Sequence, residues 1–397
     1  MSSESVTSST HMARHSACAP APNPECSTPV RARYVMIGGF LGAGKTTAVA
    51  KLARHLHDRG LRVGLITNDQ GSHLVDTAML ESRGFPVEEI SGGCFCCRFN
   101  SLVEAAAKLT QATAPDVFIA EPVGSCTDLV ATVTYPLRRI YGDQFAIAPL
   151  SVLVDPVRAL RIFGLEEGGQ FSEKVTYIYR KQLEEADVII INKCDLLEPS
   201  RLARLRQTLA ASFPRAELFE VSARHGTGLE QWFERISGAE QLTSETMVVD
   251  YDCYAEGEAL LGWLNCTIGL ASKGPFEGND LLRQFALEIQ QRLQAAGGEL
   301  AHLKMTLDPE QSIGDLAVAN LVRNDYVPEL SQELLDPLEN GQLIVNLRAE
   351  ASPDILRTVV IGALEQTAAK YPGLETKLEH LEHFRPGRPV PTHRVVN

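Results

Sequence analysis

Two groups of residues in this 397-residue sequence have the types and spacing to do chemistry. The first is Gly39-Phe40-Leu41-Gly42-Ala43-Gly44-Lys45-Thr46, followed by Thr47, which fits G-x-x-x-x-G-K-[ST] at each fixed position. Glycines here allow tight turning and let successive backbone N–H groups point at a phosphate. Lys45 supplies a point charge for the outer phosphates, and the Thr46 hydroxyl suits Mg²⁺. The second group is Cys94-Phe95-Cys96-Cys97, three thiols in four positions behind Gly92 and Gly93. Three thiolates make a soft site suited to Zn²⁺ or Cu⁺ and compatible with other transition metals. No fourth ligand is near in sequence, and an open fourth position suits a site that gives up its metal. Asp69, His73 and Asp76 of the preceding loop are candidates for extra ligands. Three packed cysteines or a redox pair are the alternatives.

These residues need elements to hold them. Val35-Met36-Ile37 reads as a buried strand before the glycine loop, and Val49, Leu52, Ala53 and Leu56 as a helix stripe after it, closed by Gly60. Further buried strands are expected at 61–68, 116–121, 151–154, 187–192 and 217–222, with a capping box at Ser101–Glu104 opening the helix that follows the cysteines. Strands alternating with helical segments predict an α/β fold, a P-loop-type parallel sheet covered on both faces. Its loops then gather along one edge, where ligands bind.

The strand ends carry the rest of the expected site. Asn192-Lys193-Cys194-Asp195 follows one strand, and Ser222-Ala223 ends the next. Guanine offers two N–H donors that one carboxylate can accept together, whereas adenine would leave Asp195 desolvated and unpaired. Asn192 is expected to reach the base from the other side, Lys193 to cover the ring plane, and Ser222-Ala223 to close on the guanine oxygen. Glu121 is expected to hold the Mg²⁺ shell, and the Gly124 backbone to approach a γ-phosphate. Asp69, after the second strand, is the candidate for orienting the attacking water or a Mg²⁺-bound water.

Residues 1–32 are rich in Ser, Thr, Pro and Ala, without periodicity, and read as a disordered tail, despite His11, His15, Cys18 and Cys26. After a linker at 237–244 the texture changes. Strands are expected at 260–270, 300–307, 314–322 and 342–347, with a helix stripe over Leu282–Leu293 and a last helix opened by Ser352-Pro353. That order suggests a small α+β domain over 246–378, with a tail from 379 to 397. Asp250–Glu258, rich in acids, reads as a solvated strand edge, and Cys126, Cys194 and Cys266 as packed small hydrophobes. A net charge of −13 argues against a nucleic-acid partner, and no apolar run approaches a membrane span. The start of the chain lacks a signal-peptide core, and nine cysteines with three clustered do not suggest a disulfide framework, so a cytoplasmic location is expected.

Taken with their order, GGFLGAGKTT, GGCFCC, Glu121–Gly124 and Asn192–Asp195 resemble the CobW-type GTPases, metal-chaperone relatives of the nickel-insertion GTPases of urease and hydrogenase. The resemblance covers 33–237. It implies GTP hydrolysis coupled to delivery of a metal to a client metalloprotein or cofactor-pathway enzyme, with Cys94, Cys96 and Cys97 as ligands. It also implies GTP- or metal-dependent self-association into a homodimer. Zn²⁺ is the first expectation, with Co²⁺, Fe²⁺ and Ni²⁺ left open. Two departures stand out: Asn68-Asp69-Gln70 replaces the Asn-Glu and further acids common after the second strand, and there is no His-rich run. The rivals are a GTP-driven chaperone of a cofactor-bearing, corrinoid-related enzyme with a structural metal, and a P-loop small-molecule kinase, which Asp195 argues against.

Overall fold

A computed structural model describes residues 31–68, 80, 84–242, 246–309 and 315–396. Asp69, His73, Asp76 and the histidines and cysteines of the first thirty residues lie outside the described residues. Strands run at β1 Ala32–Gly39, β2 Val63–Asn68, β3 Val87–Ile90, β4 Val117–Glu121, β5 Phe145–Ile147, β6 Ser151–Val154, β7 Val188–Ile191 and β8 Glu217–Glu220. The helices among them are α1 Lys45–Asp58, α2 Phe99–Thr113, α3 Tyr135–Tyr141, α4 Pro156–Ile162, α5 Glu173–Glu184, α6 Pro199–Ser212 and α7 Leu229–Gly238. Strand order is β3-β2-β4-β1-β6-β7-β8, with β5 also pairing β1, and every pairing is parallel.

Alternate residues of β1 enter different cores, Tyr34 and Met36 on one face, Val35 and Ile37 on the other. A sheet buried on both faces explains why its strands read as continuous apolar runs. Each such side chain contributes roughly 1.5–3 kcal/mol by leaving water. In this order β3 and β4 flank β2, so the loops leaving their carboxyl ends, 91–97 and 122–128, are neighbours.

The chain continues through α8 Tyr251–Leu260, β9 Leu261–Phe276, α9 Gly278–Ala295, β10 Glu299–Pro309, β11 Ala317–Leu321, β12 Glu329–Gln332, β13 Leu338–Glu350, α10 Pro353–Ala368 and β14 Leu374–Phe384. These strands form an antiparallel sheet, β12-β11-β10-β13-β9-β14. Leu282, Phe285 and Ile289 of α9, with Val359 and Val360 of α10, pack on Leu303, Met305, Val345 and Leu347. The period of two then sends His302, Lys304, Asn346 and Arg348 to the opposite face, which is polar. Arg31–Asn397 packs as one compact unit holding both sheets.

Three expectations are corrected here. Asp250–Glu258 is not a strand edge: Asp250 caps α8, accepting N–H from Asp252 and Cys253 at 2.9 and 3.0 Å. The helix after the cysteines begins at Phe99 with Arg98 at its N-cap and no side-chain cap bond, so the Ser101–Glu104 capping box does not form. Residues 379–384 belong to β14, paired along β9, rather than to a tail. The Ser352 cap does form, accepting from the Ile355 N–H at 3.3 Å.

Candidate functional site

The residues at the carboxyl ends of β1, β2, β4 and β7 and the polar face of the second sheet enclose a cavity of about 610 Å³. Gly42, Gly44, Lys45, Thr46, Thr47, Glu121, Gly124, Asn192, Lys193, Asp195 and Ala223 all line it. Seven Lys or Arg side chains stand against three acids, an excess of positive charge in a chain whose net charge is −13. That focuses the field for a polyanion.

The glycine loop is built to approach something closely. Gly44 begins α1 at φ 92, and a Cβ there would meet Asn192 Nδ2 at 2.4 Å. The helix start carries no side-chain cap bond, so its N–H groups suit an anion. Gly39, at φ 131, is not among the cavity-lining residues, and a Cβ there would strike the Leu153 carbonyl of β6 at 2.4 Å. Ala43 and Ser222 likewise stand behind the wall. Gly124 presses on Leu41, whose side chain a Cβ would meet at 2.7 Å, and Gln182 fixes its carbonyl at 2.9 Å.

Asn192 bridges two loops. Its Nδ2 donates to the Ala43 carbonyl at 2.8 Å and its Oδ1 accepts from the Ala223 N–H at 3.0 Å. It clamps the glycine loop to the Ser222-Ala223 loop. Lys193, in left-handed backbone at φ 55, donates to the Gly42 carbonyl at 2.8 Å and to Asp155 at 2.9 Å. Burial pushes the Asp155 carboxyl up, but Lys193, Arg323 and Arg158 outweigh it and hold that carboxyl below the usual range. Asp195 lines the cavity, with His225 Nε2 at 3.7 Å from its carboxylate.

Thr46 Oγ1 donates to Glu121 Oε1 at 2.9 Å, both residues being buried. Two oxygens at that spacing suit a hard cation such as Mg²⁺. Lys304 of β10 donates to the same hydroxyl at 3.1 Å. Arg158 ties the Leu41 carbonyl to those of Ala301 and Val322, binding the glycine loop to the second sheet. His302 sits on the same wall, its pKa pushed down by burial and then by Lys304 and Arg348. Sequence reasoning missed Asp155, Arg158, His302 and Lys304. The period-two pattern of β10 was the available signal, but a polar alternate face ordinarily means solvent.

The three loop thiols converge, with Cys94–Cys96 at 2.7 Å, Cys94–Cys97 at 3.4 Å and Cys96–Cys97 at 3.6 Å. Gly92 and Gly93, at φ 75 and 150, turn the chain into the loop, and the Cys97 and Arg98 N–H groups close it on the Cys94 carbonyl. The Cys94 thiol is pushed well below its ordinary value, first by Cys126 and then by Cys96 and Cys97, while Cys97 is pushed up to about 11 through its bond with Cys94. Asn68, at the end of β2, lines the cavity and donates to the carbonyls of Ile90 and Gly93 at 2.9 and 2.7 Å. It therefore touches both the cavity wall and the residue before Cys94. The C-terminal segment lies over the cysteine loop: Val390 N–H donates to Cys97 Sγ at 3.2 Å, and Thr392 bonds the Cys96 and Cys97 carbonyls. His393 stands edge-on to Phe99 at 4.9 Å.

Residues 33–220 match the family described as CobW/HypB/UreG, nucleotide-binding domain. The chain is 28% identical over 212 residues to a protein named zinc chaperone CobW from Sinorhizobium sp, covering 48% of this chain and 58% of that one. It is 31% identical over 170 residues to one named zinc chaperone YeiR from Escherichia coli K12, covering 42% and 48%. The chain thus spans about half the length of the curated relatives it matches. A solved structure of Zn(II)-bound YjiA GTPase from E. coli is 16% identical over 84% of this chain and 99% of that one, at TM-score 0.37, and adds nothing to the strand order.

Proposed function

We propose that this chain, whose residues 33–220 belong to the CobW/HypB/UreG nucleotide-binding family, hydrolyses GTP and couples that hydrolysis to handing a transition metal to a client. One observation carries the reading: Asn68 touches both the cavity that Lys45, Thr46, Glu121 and Asp195 line and the loop that carries the three thiols. In this reading residues 33–237 bind nucleotide and metal, and 246–378 supply the second cavity wall and the client surface.

The glycine loop N–H groups and Lys45 hold the β- and γ-phosphates of GTP. Thr46 and Glu121 would hold Mg²⁺, which when bound neutralises charge developing on the phosphate oxygens. Lys304 donates to Thr46, and with that hydroxyl on Mg²⁺ its charge would be available to the γ-phosphate. Asp195 accepts both guanine N–H donors, while Asn192 keeps the two loops around the base in register. Gly124 gives the γ-phosphate room. Asp69 remains the proposed water-orienting group. The metal is cargo, held as thiolates by Cys94, Cys96 and Cys97, with Zn²⁺ favoured because relatives over the matched region are named zinc chaperones. Loss of the γ-phosphate relaxes the strand ends around it and, through Asn68, the cysteine loop. The client is a metalloprotein or cofactor-pathway enzyme of the cytoplasm, and a homodimer is the proposed working state.

The base assignment is tested by Asp195→Asn. An amide can donate to the 2-oxo group of xanthine, so the variant should lose GTP affinity by roughly 10²-fold or more and gain preference for xanthosine triphosphate. Competition between the two nucleotides measures this. Unchanged guanine preference removes Asp195 from the base pocket.

A further inference from the structure

Residues 385–396 run on from β14 without helix or strand and cross the loop that carries the three thiols. Pro386, Pro389 and Pro391 fix φ along this segment and keep it extended. Its polar groups reach two loops. On the cysteine loop, Val390 N–H meets the sulfur of half-buried Cys97 at 3.2 Å. Thr392 N–H meets the Cys96 carbonyl at 2.8 Å, and the Thr392 hydroxyl meets the Cys97 carbonyl at 3.0 Å. On the loop leaving β4, Arg394 Nε donates to Asp128 at 2.7 Å, and Val395 N–H donates to the Ala131 carbonyl at 2.8 Å.

The second anchor is an unusual piece of backbone. Asp128 is 1% exposed and sits at φ 66, a left-handed conformation that is costly for a residue with a Cβ. Ala131 lies in a π-helical turn, Val130–Thr134, a rare form. Both follow the Glu121–Gly124 segment in one stretch of chain, so the anchor of the crossing segment and the wall of the nucleotide cavity are continuous. Arg388 adds a pair with Asp252 of α8, and Arg394 donates also to the Met247 carbonyl at 3.1 Å.

We propose that residues 385–396 are an autoinhibitory strap, which covers Cys97 and holds the thiol loop closed when docked and exposes that loop to metal and client when released. The inference rests on the metal-handling reading above and adds regulation of that same site. Val390 and Thr392 are exposed, and neutral hydrogen bonds of this kind are individually modest. The Arg394–Asp128 pair, with its acid buried, is the strongest single hold. A segment held by exposed backbone bonds and one such pair opens locally without unfolding the sheets beneath it.

The test is alkylation of Cys97 by iodoacetamide in the reduced, metal-free, full-length protein, located by fragment-ion sequencing. Wild type is compared with Arg394→Ala, which removes the ion pair, and Thr392→Pro, which removes both donors of that residue. Each variant should alkylate Cys97 about 10-fold or more faster than wild type, the change expected for losing a charged hydrogen bond or two neutral ones. Cys266, buried in the core of the second sheet, should react at the wild-type rate in both. Wild-type rates at Cys97 in both variants would overturn the proposal. Should a variant also expose Cys266, it has misfolded, and hydrogen exchange of the wild type decides instead. The Thr392 and Val395 amides should exchange at least about 100-fold faster than those of β1, yet more slowly than in a free peptide. Exchange as slow as β1 means that the segment opens only with the whole fold, and exchange at the free-peptide rate means that it is not docked; either refutes the strap. These readouts need no metal. A wild type that binds no zinc but shows the accelerated alkylation overturns the metal-handling reading alone, and tight zinc without that acceleration overturns the strap alone.

Discussion

Lys45→Ala is expected to abolish measurable GTP hydrolysis and to weaken nucleotide binding severely. Lys45 is the charge at the start of α1 proposed to meet the outer phosphates, and its residue is only 8% exposed. Two of the other cations on the wall are engaged with the protein: Lys193 with Asp155, and Arg348 against the Trp263 ring at 3.8 Å. Loss of a single preorganised donor at a reacting oxygen costs roughly 10²–10³-fold in rate. Wild-type turnover without a partner should itself be slow, on the order of 10⁻⁴ to 10⁻² s⁻¹ for an unassisted GTPase. Phosphate release under single-turnover conditions measures both. Hydrolysis by the variant within a factor of ten of wild type would remove Lys45 from the γ-phosphate, and a wild-type rate of tens per second would contradict the unassisted reading.

Replacing Cys94, Cys96 and Cys97 together by serine is expected to remove high-affinity metal while nucleotide still binds. Hydroxyls do not deprotonate near neutral pH as metal-bound thiols do. Thiolate zinc sites in small peptides carry roughly 10–16 kcal/mol of apparent binding free energy, so losing three ligands takes the ion out of the measurable range. The glycine loop depends on Asn192 and Arg158 rather than on the cysteines, so GTP-analogue affinity in the absence of metal should change little. Equilibrium dialysis against zinc and a nucleotide titration on one preparation test both halves. Retained tight zinc would place the metal elsewhere in the chain.

The parts of this site that sequence made legible are those whose geometry is local. A strand, a glycine turn and a helix start form one contiguous segment, so Gly42 to Thr47 could be placed by reading along it. Glu121, Asn192 and Asp195 were legible because strand ends of a parallel sheet share an edge, whatever the order of the strands. Lys304 and His302 were hidden: their strand looks half-solvated, and only its packing on the glycine loop makes that face a wall. In Tyr251–Leu260, two aromatic residues and scattered acids suggested a strand edge. The overlooked signal was Asp250 as a cap with Asp252 in the first turn, which is a helix start. Asn192 was legible as a strand-end residue, but its clamp between the glycine loop and Ala223 was not, because that contact joins segments far apart in sequence.

The central claim is that nucleotide and metal speak to each other through Asn68 and the Glu121–Gly124 segment. Linkage makes that reciprocal: if bound GTP changes metal affinity by some factor, metal changes GTP affinity by the same factor. The direct measurement is a pair of titrations, zinc with and without a non-hydrolysable GTP analogue under Mg²⁺, and the analogue with and without zinc. The account predicts equal ratios in the two directions, about 5–150-fold or roughly 1–3 kcal/mol of coupling. Affinities unchanged in both pairs would leave a nucleotide-binding protein that merely carries a metal, and the delivery mechanism would be wrong.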